Sequence, residues 1–127
     1  MTGAEGSARL CVLLVEDDRT VSMVVSEMLA TLGHDVINVE SGLEALDCLK
    51  SPATVDLVLT DMVMPGGLSG DELIPMIEEV RPGTRRIVMS GYIPAERRDN
   101  LARQSDIVLL PKPFTMAQLK KALKDAH

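Results

Sequence analysis

Residues 9–18 read RLCVLLVEDD. Leu10 to Val15 form a short, unbroken apolar run, and three acids follow at once. A strand with one wet face would alternate; an unbroken run of this length is the pattern of a strand covered on both faces, as in a parallel sheet. Just downstream, Val21, Val24, Val25, Met28, Leu29 and Leu32 share the spacing of one helical stripe. Asp17 or Asp18 can cap this helix, and Gly33 supplies its stop.

The strand–helix unit recurs along the chain. Val36, Ile37 and Val39 predict a second strand, and Ser41 can cap a helix carrying Leu43, Ala45, Leu46 and Leu49 before Pro52. Residues 55–60 (VDLVLT) predict a third strand that ends on Asp61. A Pro- and Gly-rich loop over 64–70 leads to a helix with Leu73, Ile74, Met76, Ile77 and Val80. Pro75 lies inside it and predicts a start near Glu72 or a local kink. Residues 86–90 (RIVMS) predict a fourth strand, followed by a short polar helix over 94–103. Residues 107–110 predict a fifth strand, and 115–126 a last helix with Met116, Leu119, Ala122 and Leu123 on one face. Five strands alternating with five helices predict one α/β domain over 9–127, a parallel sheet between two helical layers, behind a disordered tail at 1–8.

Composition narrows the function. The 127 residues carry 13 Lys+Arg against 19 Asp+Glu, a formal net charge of -6. That balance argues against a nucleic-acid-binding module, which usually shows a basic stripe. Tyr92 and Phe114 are the only aromatics, so no base-stacking platform can be built. No apolar run approaches the roughly 18–20 residues of a membrane span, and nothing at the start resembles a signal peptide, so a cytoplasmic protein is expected. Cys11 and Cys48 sit in apolar segments without metal-ligand spacing and read as buried, reduced thiols. His34 and His127 have no metal partner at useful spacing and are expected at the surface. Arg85, Arg86, Arg97, Arg98 and Arg103 read as a solvated face, with an interaction surface as the alternative.

In an open parallel sheet, ligands bind beyond the carboxyl ends of the strands. Those ends carry Glu16, Asp17 and Asp18 after the first strand, Asp61 after the third, Ser90 at the fourth and Lys112 after the fifth. Gathered carboxylates repel, and a divalent cation relieves them; hard oxygen ligands suit Mg²⁺, with Mn²⁺ as a substitute. A carboxylate can also attack phosphorus to give an aspartyl phosphate. The charge that spreads over the phosphoryl oxygens then calls for a metal, an ammonium and a hydroxyl nearby. Asp17 and Asp61 are therefore the candidate metal ligands, with Glu16 assisting directly or through water. Asp61 is the candidate nucleophile, and Lys112 and Ser90 are the candidate phosphoryl-binding groups.

The segments LLVEDD (13–18), LTDMVMPGGLSGDEL (59–73), IVMSGY (87–92) and LPKPF (110–114) resemble the receiver domains of two-component response regulators. The resemblance runs from about Arg9 to Lys124 and is closest to receivers of hybrid histidine kinases and to stand-alone receivers. It implies a flavodoxin-like fold with sheet order 2-1-3-4-5, and a phosphoryl group moving from a partner phosphohistidine to Asp61 with Mg²⁺ present. The backbone carbonyl of Val63 matches the third protein metal ligand, Ser90 the switch hydroxyl and Lys112 the family lysine, with a cis peptide before Pro113. It also implies a histidine kinase or histidine phosphotransfer protein as partner, with phosphorylation-driven homodimerisation left open.

Three positions modulate that expectation. Leu109 stands where the family often has an aromatic switch residue, and Tyr92 is the candidate substitute. Val63 and Tyr92, two residues beyond Asp61 and Ser90, flank the path of the hydrolytic water, which predicts slow loss of the phosphoryl group. Two other functions compete. A haloacid-dehalogenase-type phosphatase needs an acid two residues after its nucleophile, where Val63 stands. A pseudo-receiver would bind partners without phosphorylation. A dinucleotide-binding domain is disfavoured because the first turn is acidic and lacks G-x-G-x-x-G.

Overall fold

Five short strands pair in parallel throughout the computed structural model, which describes residues 9–64, 68–91, 95–96, 99 and 107–126. They are β1 (Cys11–Val15), β2 (Asp35–Val39), β3 (Leu57–Asp61), β4 (Arg85–Ser90) and β5 (Ile107–Pro111). Their spatial order is β2-β1-β3-β4-β5, the flavodoxin-like order. Helices α1 (Arg19–Thr31), α2 (Gly42–Lys50), α3 (Gly70–Val80) and α4 (Met116–Asp125) cover the sheet. Among the described residues no helix is long and apolar enough to cross a membrane.

The unbroken apolar strands are explained by the two layers. Side chains alternate across a strand, so Val12 and Leu14 of β1 face one way and Leu13 and Val15 the other. Val12, Leu14, Leu57, Leu59, Ile87 and Met89 pack with Val25 and Leu29 of α1 and with Leu119 and Leu123 of α4. Leu13, Val15, Val58 and Val88 pack with Ala45 and Leu49 of α2 and with Leu73, Ile74 and Ile77 of α3. Only an apolar residue at every position can fill both cores.

The helix ends follow local chemistry. Asp18 caps α1, its carboxylate accepting from the N–H of Thr20 (2.9 Å) and Val21 (3.1 Å). Ser41 caps α2 by accepting from Glu44 N–H. Gly33 follows α1 with φ at +94°, a conformation L side chains rarely adopt. The third helix starts at Gly70, two residues before the expected Glu72. The cause is the Ser69 cap, whose N–H donates to Glu72 Oε1 at 3.0 Å, so Pro75 falls in the second turn and costs one i→i−4 bond.

Other expectations need correction. Val24 and Leu43, placed on apolar stripes by their spacing, are exposed. Cys11 and Cys48 are free but only half-buried. His34 is half-buried rather than superficial, because its Nδ1 accepts the Leu10 N–H at 3.0 Å. Burial lowers its pKa against an opposing effect of Asp35. Arg86 is buried, with Glu78 3.6 Å from its guanidinium, while Arg85 is exposed. Most of the predicted helix over 94–103 lies outside the described residues, as do the tail 1–8, His127, Arg97, Arg98 and Arg103; Ala95, Glu96 and Asp99 are helical and exposed.

At the end of the molecule opposite the strand-end acids, Arg81 ties α3 to α2. Its guanidinium donates to the carbonyls of Ala53 (2.8 Å), Leu49 (2.9 Å) and Ser51 (2.8 Å), a cation on the carbonyl end of a helix. Arg81→Met keeps the aliphatic stem and leaves three carbonyls without this partner. It should lower the unfolding free energy by about 1–3 kcal/mol, read as a lower urea midpoint at unchanged m-value. A midpoint equal to wild type would contradict the role assigned to Arg81.

Candidate functional site

Because every strand runs the same way, Val15, Asp61, Ser90 and Pro111 finish at one edge of the sheet. Residues in the turns just beyond these ends converge there. Glu16 extends the β1 ladder, its N–H donating to Val39 carbonyl at 3.1 Å. Its side chain turns inward and only 2% of the residue is exposed. Asp17, next along, is exposed, and Asp61 closes β3. One carboxylate oxygen from each of Glu16, Asp17 and Asp61 lies within 4.8 Å of the others.

Lys112 enters the cluster from the other side. Its Nζ lies 3.3 Å from Asp61 Oδ1 and 3.7 Å from Glu16 Oε1. The Lys112–Pro113 peptide is cis, as the resemblance implied. The Lys112 N–H donates to the Ser90 carbonyl at 2.8 Å, which joins the ends of β4 and β5. Ser90 is buried at the end of β4, opposite Pro111 in register.

Glu16 is the electrostatic centre of this arrangement. Its Oε2 accepts the Asp18 N–H at 3.0 Å, while Oε1 is buried without a hydrogen-bond partner among the described residues. Burial, first of all, raises its pKa to about 7; the Asp18 N–H opposes, Asp61 adds to the rise, Lys112 opposes and Asp17 adds again. A buried acceptor with no donor, facing two further carboxylates, is the donor set a hard divalent cation satisfies.

The structure thus brings Glu16, Asp17, Asp61 and Lys112 together and sets Ser90 on the adjoining strand end. Val63 is 60% exposed, one residue beyond a Met62 carbonyl that accepts the Gly70 N–H at 2.7 Å. Met62 and Met64 pack in the core on the α2–α3 side. Leu109 is half-buried against that same core, and Tyr92 lies outside the described residues. A groove of about 460 Å³ opens beside Lys112, walled by Val21, Val24 and Met28 of α1 and by Pro113 and Phe114. Two glycines were given no role by sequence reasoning: Gly70, which lies against the Asp61 backbone, and Gly42, which lies against Leu68. Their signal was a glycine at the first position of a helix just after a capping serine, where glycine has no propensity advantage.

The raised pKa has a direct consequence for stability. Between about pH 4.5 and 7 folded Glu16 holds a proton that the unfolded chain has released, so it makes the metal-free protein less stable as pH rises through that window. Glu16→Gln removes this dependence. The thermal midpoint of wild type should therefore fall relative to Glu16→Gln from pH 5 to 8; a difference that does not vary with pH would contradict the environment described.

Comparison with known proteins agrees with this geometry. The family model for the response regulator receiver domain matches residues 12–124. Sensor kinase CckA of Brucella abortus is 35% identical over 125 residues, which cover 98% of this chain and 13% of that protein. Sporulation initiation phosphotransferase F of Bacillus subtilis is 26% identical over 113 residues, covering 89% of this chain and 90% of that protein. The chain spans only 13% of CckA and 24% of the NtrC of Azospirillum brasilense. Among solved structures, a response regulator receiver protein from Sinorhizobium medicae superposes with a TM-score of 0.82 at 30% identity, over 91% of this chain and 92% of that one. The receiver domain of a Pseudomonas aeruginosa sensor histidine kinase, described with a magnesium ion coordinated in its active site cleft, gives 0.78 at 28% identity over 92% and 96%. Strand order, the acid cluster at the strand ends and the match over 12–124 lead to one conclusion: the chain belongs to the response regulator receiver domain family of two-component signalling.

Proposed function

We propose that this domain is a Mg²⁺-dependent phosphoacceptor switch in which Asp61 takes a phosphoryl group from a partner phosphohistidine. The observation that carries the reading is the position of Lys112 Nζ, 3.3 Å from Asp61 Oδ1, in a cluster otherwise made of carboxylates. Asp17, Asp61 and the Val63 carbonyl would hold the metal, with Glu16 assisting directly or through water. The chemistry a bound Mg²⁺ supplies is neutralisation of charge on the phosphoryl oxygens; Mn²⁺ would serve similarly.

The chain's own groups divide the remaining work. Asp61 Oδ attacks phosphorus; the new O–P bond forms as the N–P bond to the donor imidazole breaks, and the imidazole leaves with a proton from solvent. Lys112 leaves part of its pairing with Asp61 to meet a phosphoryl oxygen, so the negative charge brought in is matched by an ammonium already in place. Ser90, at the next strand end, would donate its hydroxyl to another oxygen. Loss of the group needs water in line with phosphorus, and Val63 and Tyr92 would obstruct that path. Leu109 cannot act as an aromatic switch, which leaves Tyr92 as the substitute partner for the Ser90 hydroxyl.

The partner would be a histidine kinase or a histidine phosphotransfer protein, and the domain would act in the cytoplasm. Exposed Met23 and Val24 on α1, with the groove that ends at Lys112, offer an apolar surface at the mouth of the site for it. The identities with CckA (35%) and with the transcriptional regulator NtrC (34%) are equally compatible with a receiver built into a longer protein, such as a hybrid histidine kinase, and with a stand-alone regulator, which uses the same module. Phosphorylation-dependent homodimerisation and the absence of nucleic-acid binding belong to the same reading. The domain would accept and slowly release one phosphoryl group rather than turn over as an enzyme.

Incubation with Mg²⁺ and a small acyl phosphate should add the mass of one phosphate, and Asp61→Asn should abolish the addition. Unchanged wild-type mass with Mg²⁺ present would instead support a pseudo-receiver. Lys112→Ala should bind Mg²⁺ at least as well as wild type, because it loses a cation beside the site, yet accept phosphate roughly 10²-fold more slowly. The phosphorylated wild type should persist for many minutes; a lifetime of seconds would refute the role given to Val63 and Tyr92.

A further inference from the structure

We infer that Gly70 and Gly42 are positioning residues of the phosphoacceptor site, each allowing a helix start to lie directly on the chain that leaves Asp61. The inference builds on the Mg²⁺ reading of that site. Neither glycine is explained by backbone freedom. Among the described residues only Gly33 and Gly83 have positive φ, whereas Gly70 and Gly42 are the first residues of α3 and α2 and both are buried. Alanine would be the better helix former at either position.

What each glycine permits is a close approach. A Cβ on Gly70 would collide with the Asp61 carbonyl oxygen and lie 3.0 Å from Met62 Cα and 3.1 Å from the Asp61 carbonyl carbon. All three atoms are backbone of the phosphoacceptor and its neighbour, so no side-chain rotation can make room. The same closeness lets the Gly70 N–H reach the Met62 carbonyl at 2.7 Å. A Cβ on Gly42 would lie 2.9 Å from Leu68 Cβ and 3.3 Å from its Cδ1. Leu68 stands two residues before Gly70 and packs into the core under α2 and α3.

The described chain beyond Asp61 is thereby held at two points, Asp61 and Met62 against Gly70, and Leu68 against Gly42. Glu16 and Lys112 are anchored independently, after β1 and β5. A methyl group at Gly70 must therefore shift the Asp61–Met62 backbone, and with it the Asp61 carboxylate and the Val63 carbonyl, relative to partners that stay in place. Metal ligation tolerates little such displacement, since Mg²⁺ demands near-ideal octahedral geometry.

The test is a calorimetric Mg²⁺ titration of wild type, Gly70→Ala, Gly42→Ala and Gly83→Ala, each with its metal-free thermal midpoint. Gly83 has φ at +87° and nothing within 4 Å of an added Cβ, in the turn before β4 at the far end of the sheet. Its alanine variant strains the backbone away from the site. Gly70→Ala should weaken Mg²⁺ binding at least tenfold and Gly42→Ala about threefold, with Gly83→Ala within twofold of wild type. Wild-type affinity in Gly70→Ala would overturn the inference, as would an equal loss in Gly83→Ala. Should Gly70→Ala not fold, amide exchange in wild type decides. At least tenfold slower exchange of the Gly70 amide on adding Mg²⁺, with the Gly83 amide unchanged, supports the inference, and no slowing overturns it. A wild type that binds no Mg²⁺ would instead fail the reading of the site itself.

Discussion

Three carboxylates crowded at one end of a parallel sheet set the terms for everything else in this domain. Glu16, Asp17 and Asp61 place an oxygen each within 4.8 Å of one another, and two full charges at that separation repel by about 3.5 kcal/mol at an effective dielectric near 20. Lys112, 3.3 Å from Asp61 and 3.7 Å from Glu16, attracts with a similar magnitude per pair. One ammonium against three carboxylates leaves two negative charges, so Lys112 alone cannot balance the cluster. A proton on Glu16 removes one of them, and a divalent cation would remove both. The buried Glu16 Oε1 has no donor among the described residues, and its pKa is pushed up to about 7 first by burial, with Asp61 adding to the rise.

The rest of the fold keeps the groups from relaxing apart. Strands buried on both faces fix the ends of β1, β3 and β5 with respect to one another, because a shift of one residue would turn core side chains toward the wrong layer. Asp18 joins the cluster to α1, since its N–H holds Glu16 while its carboxylate caps the helix. On the opposite face, Gly70 and Gly42 bring α3 and α2 onto the chain leaving Asp61, and Arg81 locks the far ends of those helices. Charge that would disperse in a floppy loop is therefore concentrated, and a cation or a phosphoryl group would meet a cluster already formed.

Much of this was legible in the residues. Unbroken apolar runs ending in Glu16, Asp61 and Ser90, with Lys112 after the last, carry both the sheet and the site, since each depends on local pattern and on the direction the strands share. Side chains whose role depends on a distant contact were not legible. Val24 and Leu43 match a helical stripe yet face water, because a stripe of that width exceeds what the sheet can cover. Nothing in the sequence around His34 shows that its Nδ1 will accept a backbone N–H from Leu10, 24 residues away. The same holds for Arg81 and its carbonyls, 28 to 32 residues off. Nothing in the residues around Gly70 shows that the Asp61 carbonyl will lie against it.

The account makes a proton and a divalent cation alternative answers to one excess of charge. Calorimetric titration of Mg²⁺ near pH 7, repeated in buffers of different ionisation enthalpy, measures that exchange directly. Binding should release a fraction of a proton from Glu16 near pH 7, and the release should vanish by about pH 9, where the carboxyl is already ionised. Mg²⁺ binding with no proton release at pH 7, or with the same release at pH 9, would contradict the claim that the buried Glu16 belongs to the cation site.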